Sequence, residues 1–259
     1  FKGLRSPAWP EDILGKIDQG GKERGQALYR ELCQSCHLAP VNEATFWTDR
    51  RWQAPNAAGE RYLNLVEVPA TEIGTDPGQA SILGQRKITL PAYLGIPGTP
   101  KDDGTLVEGT FGQVLAAVVD NATTSWYDDH NIAPADRDRM NGYRPNLLQT
   151  KNIYKARPLN GIWATAPFLH NGSVPTIYAL LSPVAERPTT FCLGDREYDP
   201  THMGYRTDCA AGTFRFDTSI PGNLHTGHEF ENGPAGKGVI GRALSHQERL
   251  DLVEFLKSL

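Results

Sequence analysis

The sequence has little net charge, only four cysteines and two methionines, and no long apolar run. Its 26 Lys and Arg residues against 30 Asp and Glu residues give a formal net charge of −4. Because proteins that bind nucleic acid usually carry a basic excess, no nucleic-acid partner is expected. A helix that spans a bilayer needs about 20 consecutive apolar residues, so no transmembrane segment is expected either. What remains is a globular chain of 259 residues with a hydrophobic fraction of 39%.

Glycine and proline are, by contrast, abundant, at 26 and 19 residues. Both residue types interrupt helices and strands, so they predict many turns and long irregular connections. We therefore expect regular structure to be concentrated in two core helices, at about 20–37 and 245–259. The residues between them, 40–240, are expected to form extended insertions.

The two predicted core helices have features that suit mutual packing. Gly25, Tyr29 and Cys33 are spaced four residues apart, so they lie along one face of the first helix. The glycine permits close approach of another helix. The second helix begins with a capping box formed by Ser245 and Glu248, and it continues as an apolar stripe.

The first helix runs into the segment Cys33-Gln34-Ser35-Cys36-His37. Two thiols separated by two residues and followed by a histidine are the attachment signature of a c-type haem. We expect one haem c, bound covalently through Cys33 and Cys36, with His37 as the proximal ligand of the iron. The motif and the two terminal helices together predict a mainly α, cytochrome c-like haem domain. In this prediction the terminal helices pack together, the insertions form the haem pocket, and a single domain occupies 1–259.

The two remaining cysteines, Cys192 and Cys209, form an even pair. A bridge between them would close a small loop and stabilise the fold. Bacterial haem c attachment and disulfides both belong outside the cytoplasm. We therefore expect a Cys192–Cys209 disulfide and a periplasmic or extracellular bacterial location. The alternative is that the two residues are unrelated buried thiols.

The sixth position of the haem iron requires a further ligand, for which imidazole and thioether are the usual protein groups. Two stretches are favoured. One is an apolar run that ends in a histidine at a turn, His170. The other is the glycine-rich segment 221–230, which contains His225 and His228. Loop, cap or surface positions are favoured for the other candidates, which are His130, His202, His246, Met140 and Met203.

The run from Lys155 to Arg196, KARPLNGIWATAPFLHNGSVPTIYALLSPVAERPTTFCLGDR, resembles a family of bacterial c-type cytochromes. The family includes the di-haem rubber oxygenases and is more distantly related to di-haem cytochrome c peroxidases. The segments REYDP, GHEF and GRALS resemble the same family, and the likeness extends from about Arg5 to the C-terminus. The chain resembles the C-terminal, electron-transferring haem half of such a protein, so the resemblance implies a chain without the first haem half. The resemblance implies that His228 of GHEF is the sixth ligand, which makes the site bis-His, with His170 and His225 as rivals.

The resemblance also bears on the residues around the haem. In the related families the turn that begins at His170 lines the pocket, so contact with a haem propionate or a neighbouring loop is expected. Arg157 and Lys155 are candidate propionate partners, because partly buried propionates need charge compensation. For Lys155, ordinary surface solvation is the alternative. Trp163 and Phe168 are expected to pack on the macrocycle, although core packing predicts the same burial.

Three functions remain open at this point. Electron transfer by one six-coordinate haem c is favoured, with a redox partner protein or a second haem domain as its partner. This reading makes the chain a carrier rather than a catalyst and assigns no catalytic residue. A haem-dependent oxygenase or peroxidase acting on oxygen or peroxide is the alternative. It would require His228 to leave the iron, and it would direct attention to the possible distal groups Trp126, Tyr127, Asp128 and His130. The third candidate is a structural or assembly role, as a fragment or subunit.

Overall fold

A computed structural model of the chain describes residues 5–91, 106–144 and 151–259. The described residues divide into two compact units. The first unit comprises 5–51, 65–77 and 153–259, and the second comprises the described parts of 52–64 and 78–152. The expectation of one domain over 1–259 stays a prediction, and each unit is described by itself.

The described helices are, in chain order, α1 (Glu11–Leu14), α2 (Gln19–Leu32), α3 (Gln34–His37), α4 (Ala44–Trp47), α5 (Ala70–Ile73), α6 (Gly78–Gln85), α7 (Phe111–Asp129), α8 (Pro134–Met140), α9 (Ile177–Leu180) and α10 (His246–Lys257). The strands are β1 (Val66–Pro69), β2 (Lys87–Pro91), β3 (Leu106–Thr110), β4 (Ile153–Ala156), β5 (Thr190–Leu193), β6 (Tyr198–Asp199), β7 (Gly204–Tyr205), β8 (Phe214–Asp217), β9 (Glu229–Phe230) and β10 (Val239–Gly241). Two short 3₁₀ turns occupy Ile162–Ala164 and Val184–Glu186. Among these residues no helix has both the length and the apolar character that crossing a membrane requires.

The prediction of a mainly α fold is wrong, because helix accounts for 37% and strand for 17% of the residues that the structure describes. The strands form antiparallel pairs β1–β4, β2–β3, β5–β8 and β6–β7 and a parallel pair β9–β10. Short β-branched and aromatic runs inside the presumed loops pair with one another, as in β5 and β8, where the rings of Phe191 and Phe216 stack at 5.2 Å. Runs this short show no period that distinguishes a strand from a loop.

The terminal helices α2 and α10 pack against each other at Gly25. A Cβ added at Gly25 would lie 2.0 Å from the carbonyl oxygen of Asp251, so the crossing requires a residue without a side chain. The predicted capping box at the start of α10 is confirmed. Ser245 Oγ accepts from the Glu248 N–H at 3.3 Å, and the Glu248 carboxylate accepts from the Ser245 N–H at 2.8 Å.

The core of the first unit packs residues of these two helices against Phe168, Val174, Ile177, Leu181, Met203 and Phe230. Leu252 and Val253 of α10 are fully buried. Tyr29 of α2 is 1% exposed, and its ring lies 5.1 Å from that of Phe255. The Tyr29 hydroxyl donates to the carbonyl of Leu38 at 2.7 Å, directly after the CxxCH segment. Packing of the terminal helices therefore extends through Tyr29 to the predicted haem attachment site.

The second unit is built around α7, which packs on α6 and on the β2–β3 pair. Thr110 caps α7 through a reciprocal capping box with Gln113. Leu90 and Ala117 form the buried centre of this unit. The exposed C-terminal half of α7 carries Trp126, one of the side chains considered for the oxygenase or peroxidase alternative.

The predicted Cys192–Cys209 disulfide is present and joins β5 to the segment before β8. The two residues are 17 apart in sequence. We expect the variant Cys192→Ser/Cys209→Ser to lose about 3 kcal/mol of unfolding free energy, because the open loop has more conformations in the unfolded chain. Urea unfolding of the oxidised protein measures this loss. Reduction of the wild type should reproduce the loss, whereas the variant should not respond to reductant. Equal unfolding midpoints for wild type and variant would contradict the expectation.

Candidate functional site

The CxxCH segment forms a helical turn at the end of α2. The His37 N–H donates to the Cys33 carbonyl at 2.9 Å, and the Cys36 N–H donates to the same carbonyl at 3.2 Å. The turn places both thiols and the imidazole within one short stretch of backbone. Burial, with a smaller contribution from Cys36, raises the pKa of the Cys33 thiol to about 12. The Cys33 side chain packs against the core of the first unit.

Arg51 forms hydrogen bonds to the backbone of the CxxCH turn and to Asp49. Its guanidinium donates to the Ser35 carbonyl at 3.1 Å and, through two other nitrogens, to the Asp49 carboxylate at 2.9 Å each. These bonds lower the pKa of Asp49 to about 2, with the side-chain hydrogen bond from Arg51 as the main cause. No sequence pattern points to Arg51, because two adjacent arginines after an aspartate are typical of a solvated surface.

The imidazole of His37 is fixed in one tautomer by a backbone carbonyl. Its Nδ1 lies 2.7 Å from the carbonyl oxygen of Arg157. A carbonyl can only accept, so Nδ1 carries the proton and Nε2 keeps its lone pair. Burial lowers the pKa of His37, and the bond to Arg157 opposes this only in part. At neutral pH His37 is therefore a neutral imidazole whose Nε2 lone pair is available, which is the form that binds metals.

His228 faces His37 across a short gap. The centroids of the two rings lie 6.2 Å apart, and the ring planes are inclined at 61°. Burial, together with the nearby His37 and Arg187, lowers the pKa of His228 to about 3, so this ring is also neutral at pH 7. Its Nδ1 is buried and has no hydrogen-bond partner among the residues that the structure describes.

This pair of imidazoles fits an axially ligated haem iron. A metal bound to one nitrogen of each ring at about 2 Å would hold the ring centroids about 6 Å apart, close to the observed 6.2 Å. The described residues contain no group of three or more His, Cys, Asp or Glu side chains that could hold a bare metal ion. A porphyrin supplies its in-plane ligands itself and takes only axial ligands from the protein. Two facing histidines are therefore a donor set that fits a haem.

A close backbone contact fixes the position of His228. Its N–H donates to the Ile73 carbonyl at 2.9 Å, at the end of α5. The preceding Gly227 has φ +75°, and a Cβ there would lie 2.3 Å from the carbonyl carbon of Gly74. The Gly227 N–H donates to the Glu229 carboxylate at 2.9 Å. Glycine is therefore required at 227 both by its φ and by the approach of the α5 end.

Arg187, like Arg51, contacts the site but is not indicated by any sequence pattern. Its guanidinium is buried and donates to four backbone carbonyls. These belong to His225 at 2.5 Å, Gly227 at 2.9 Å, His228 at 3.1 Å and Leu180 at 3.1 Å. Burial lowers the pKa of Arg187 to about 10, so it remains charged at neutral pH. A buried arginine cannot be distinguished from a surface one by its neighbours ERPTT, and the segment was expected to be a loop.

His170 makes a different set of contacts. Its ring stacks on Tyr154 with centroids 4.1 Å apart, and its Nε2 lies 3.0 Å from the Tyr154 hydroxyl. The next residue, Asn171, donates to the carbonyls of Gly222 at 3.1 Å and Leu224 at 3.0 Å. The turn at His170 therefore contacts the loop that leads to His228. A contact between His170 and a propionate stays a prediction.

The other candidate ligands each have contacts of their own. His225 Nδ1 lies 3.1 Å from the Pro188 carbonyl and 3.2 Å from Thr218 Oγ1. Met203 is fully buried within the apolar core of the first unit. Three other histidines are each within hydrogen-bond distance of a partner: His202 of Asp199, His246 of Tyr178, and His130 of the Trp126 carbonyl. Met140 of α8 is exposed.

The two cations proposed for the propionates lie at exposed positions near this site. Lys155 lies on β4, and its Nζ is 3.7 Å from the Glu67 carboxylate of β1. Arg157 follows β4, is exposed, and contributes its carbonyl to His37. The proposed contacts of both side chains with propionates stay predictions.

Trp163 and Phe168 pack in the first unit. The indole N–H of Trp163 donates to the Pro7 carbonyl at 3.0 Å, and its ring lies 5.4 Å from Trp9. Phe168 is 4% exposed and pairs through its backbone with Val174. These contacts agree with core packing, and contact with the macrocycle stays a prediction.

Comparison with known proteins identifies a family match and two relatives. A protein of Sinorhizobium fredii (strain NBRC 101917 / NGR234) named "Uncharacterized protein y4iJ" is 49% identical over 261 residues, covering 100% of this chain and 42% of that protein. A second protein of the same strain, "Uncharacterized protein y4iM", is 28% identical over 268 residues, covering 99% of this chain and 51% of that protein. The chain thus spans about half the length of these relatives. Residues 153–192, which include His170 and Arg187, match the family described as RoxA-like, cytochrome c-like. This match supports a likeness of residues 153–192 to a cytochrome c-like family related to RoxA. A domain of this kind implies the binding of haem c.

Proposed function

We propose that this chain transfers electrons through one haem c, attached covalently to Cys33 and Cys36, with His37 and His228 as axial ligands. The observation that carries the proposal is the pair of neutral, half-buried imidazoles whose centroids lie 6.2 Å apart. The CxxCH turn next to His37 and the RoxA-like, cytochrome c-like match over 153–192 support the same cofactor.

A bound haem c supplies a metal centre that accepts and releases one electron. The chain's own residues hold the two axial donors in place. The Arg157 carbonyl keeps the proton of His37 on Nδ1 and leaves Nε2 free. The contact between Gly227 and Gly74 holds the backbone of His228. If His37 and His228 both bound the haem, they would leave oxygen and peroxide no ready access to the metal, and such a site would favour electron transfer over substrate chemistry.

The partner that we propose is a redox protein or a second haem domain. The chain covers 42% and 51% of its two relatives, which therefore have room for a further domain. The Cys192–Cys209 disulfide and the haem attachment motif support a periplasmic or extracellular bacterial location, because both belong to oxidising compartments.

A haem-dependent oxygenase or peroxidase, or the electron-transfer half of one, is the second candidate. The RoxA-like match and the greater length of the relatives favour it. The side chains considered for oxygen chemistry lie at the end of α7 in the second unit. There the His130 ring stacks on Trp126 at 4.2 Å, and its Nδ1 lies 2.8 Å from the Trp126 carbonyl. Both contacts are local to the exposed end of α7.

Intact mass spectrometry tests the covalent part of the proposal. We expect the mass of the chain plus one haem, less two hydrogens for the disulfide. The variant Cys33→Ala/Cys36→Ala is the control, because it should lose the haem adduct and retain the disulfide. A wild-type chain without covalent haem would contradict the proposal. Turnover of peroxide with a reduced electron donor by the isolated haem-loaded chain would favour the peroxidase instead.

A further inference from the structure

Arg187 is a buried cation that contacts the backbone of the His228 loop. The residue is 3% exposed. Three of the four carbonyls that it contacts belong to the short segment 225–228. The fourth, that of Leu180, ends α9. The guanidinium therefore joins the His228 loop to a helix of the core.

Four carbonyl dipoles stabilise the buried charge of Arg187, and the Glu229 carboxylate attracts it from a greater distance, whereas its Nε has no hydrogen-bond partner among the described residues. Among the described residues no carboxylate forms an ion pair with it. A buried charge is costly unless hydrogen bonds compensate it. Displacing the 225–228 backbone would remove three of those bonds while the charge stayed buried. The arrangement therefore opposes movement of the loop.

Arginine suits this role better than lysine because of its geometry. A guanidinium presents five donors in a rigid planar fork, whereas an ammonium presents three donors from a single atom on a flexible stem. Nη1 donates to His225 and Gly227, and Nη2 donates to Leu180 and His228. A lysine could keep the charge but could not reproduce all four bonds from one position.

We infer that Arg187 is the positioning residue of the distal ligand, which holds the 225–228 backbone so that the His228 imidazole faces His37. The inference rests on the proposed bis-His site and goes beyond it, since it assigns ligand retention to a residue that touches neither the metal nor the other imidazole.

The test uses the full haem-loaded chain and two variants, Arg187→Lys and Arg187→Gln. We expect both to show a high-spin fraction in the ferric optical spectrum. We also expect reduced protein to bind carbon monoxide about 10- to 100-fold faster than the wild type, the range in which loss of an outer hydrogen-bond partner weakens metal ligation. Added imidazole should restore the low-spin spectrum by replacing the released ligand.

Arg249→Gln is the matched control. Arg249 is also buried. It donates to the Leu244 carbonyl at 3.2 Å, to Ser182 Oγ at 3.0 Å and to the Glu186 carboxylate at 2.6 Å, but its guanidinium makes no bond to 225–228 among the described residues. This variant should unfold at lower urea concentration while its spectrum and its carbon monoxide binding stay as in the wild type.

The outcomes separate the inference from the proposed function. A wild-type chain that is six-coordinate, together with Arg187 variants that bind carbon monoxide no faster, would overturn the inference alone. A wild-type chain that already binds carbon monoxide rapidly would overturn the bis-His proposal, whatever the variants do. If Arg187→Gln does not fold, Arg187→Lys decides by the same criteria.

Discussion

Replacing His228 by alanine is expected to convert the haem from a six-coordinate, low-spin form to a five-coordinate or water-ligated form. His228 is the imidazole that faces His37, with ring centroids 6.2 Å apart, so its removal leaves the iron with one protein ligand. The ferric optical spectrum should become high-spin, and the reduced protein should bind carbon monoxide rapidly. The haem should stay attached, because Cys33 and Cys36 are unchanged.

His170→Ala and His225→Ala are the controls for this prediction. His170 Nε2 contacts the Tyr154 hydroxyl, and His225 Nδ1 contacts the Pro188 carbonyl and Thr218 Oγ1. We therefore expect that neither variant removes a ligand of the iron. Both should keep the low-spin spectrum, although each loses local hydrogen bonds. An unchanged low-spin spectrum in His228→Ala would refute the assignment. A high-spin spectrum in His170→Ala alone would transfer the ligand role to His170.

Gly25→Ala is expected to lower the free energy of unfolding by about 3 kcal/mol, the upper end of the usual cost of overpacking. The added Cβ would lie 2.0 Å from the carbonyl oxygen of Asp251 and 2.6 Å from its carbonyl carbon. Both are backbone atoms of α10, so relief requires the two terminal helices to separate. Since Tyr29 connects this contact to Leu38, the change should also loosen the haem attachment turn. Urea unfolding followed by far-UV circular dichroism measures the loss.

Gly20→Ala is the matched control within the same helix. The nearest atoms to its added Cβ belong to the flexible side chains of Arg24, at 3.4 Å, and Asp18, at 3.6 Å. Alanine has the higher helix propensity, so this variant should be unaffected or gain up to about 1 kcal/mol. If both alanine variants unfolded at the same urea concentration, the close crossing of α2 and α10 would be contradicted.

The features that the sequence predicted correctly are those that have local signals. The capping box of Ser245 and Glu248 lies within four residues, and its identity follows from two side chains. The Cys192–Cys209 disulfide followed from counting the cysteines that the haem motif leaves. The glycine at 25 marked a close contact because no side chain occupies that position on the helical face.

The parts that were missed depend on long-range contacts. β1 and β4 pair although 83 residues separate Pro69 from Ile153, and each strand alone is only four residues long. Neither segment has enough alternation to reveal a strand, so the fold was expected to be mainly α. Arg187 was missed for a similar reason. Its burial depends on α9 and the 225–228 loop closing around it, which no pattern in its own neighbourhood indicates.

The prediction of His228 came from a family resemblance, and the structure adds the geometry. No spacing rule connects His228 to His37, because 190 residues lie between them. The structure brings the two rings together through the bond from His228 to Ile73 and through the glycine contact at Gly227. The ligand assignment stays a prediction, and it is the central claim of the functional proposal.

Electron paramagnetic resonance of the ferric wild-type chain tests that claim most directly. Two axial imidazoles predict a low-spin ferric signal that accounts for all of the haem. A dominant high-spin ferric signal from correctly attached haem would show that the iron does not have two imidazole ligands and would contradict the six-coordinate electron-transfer site.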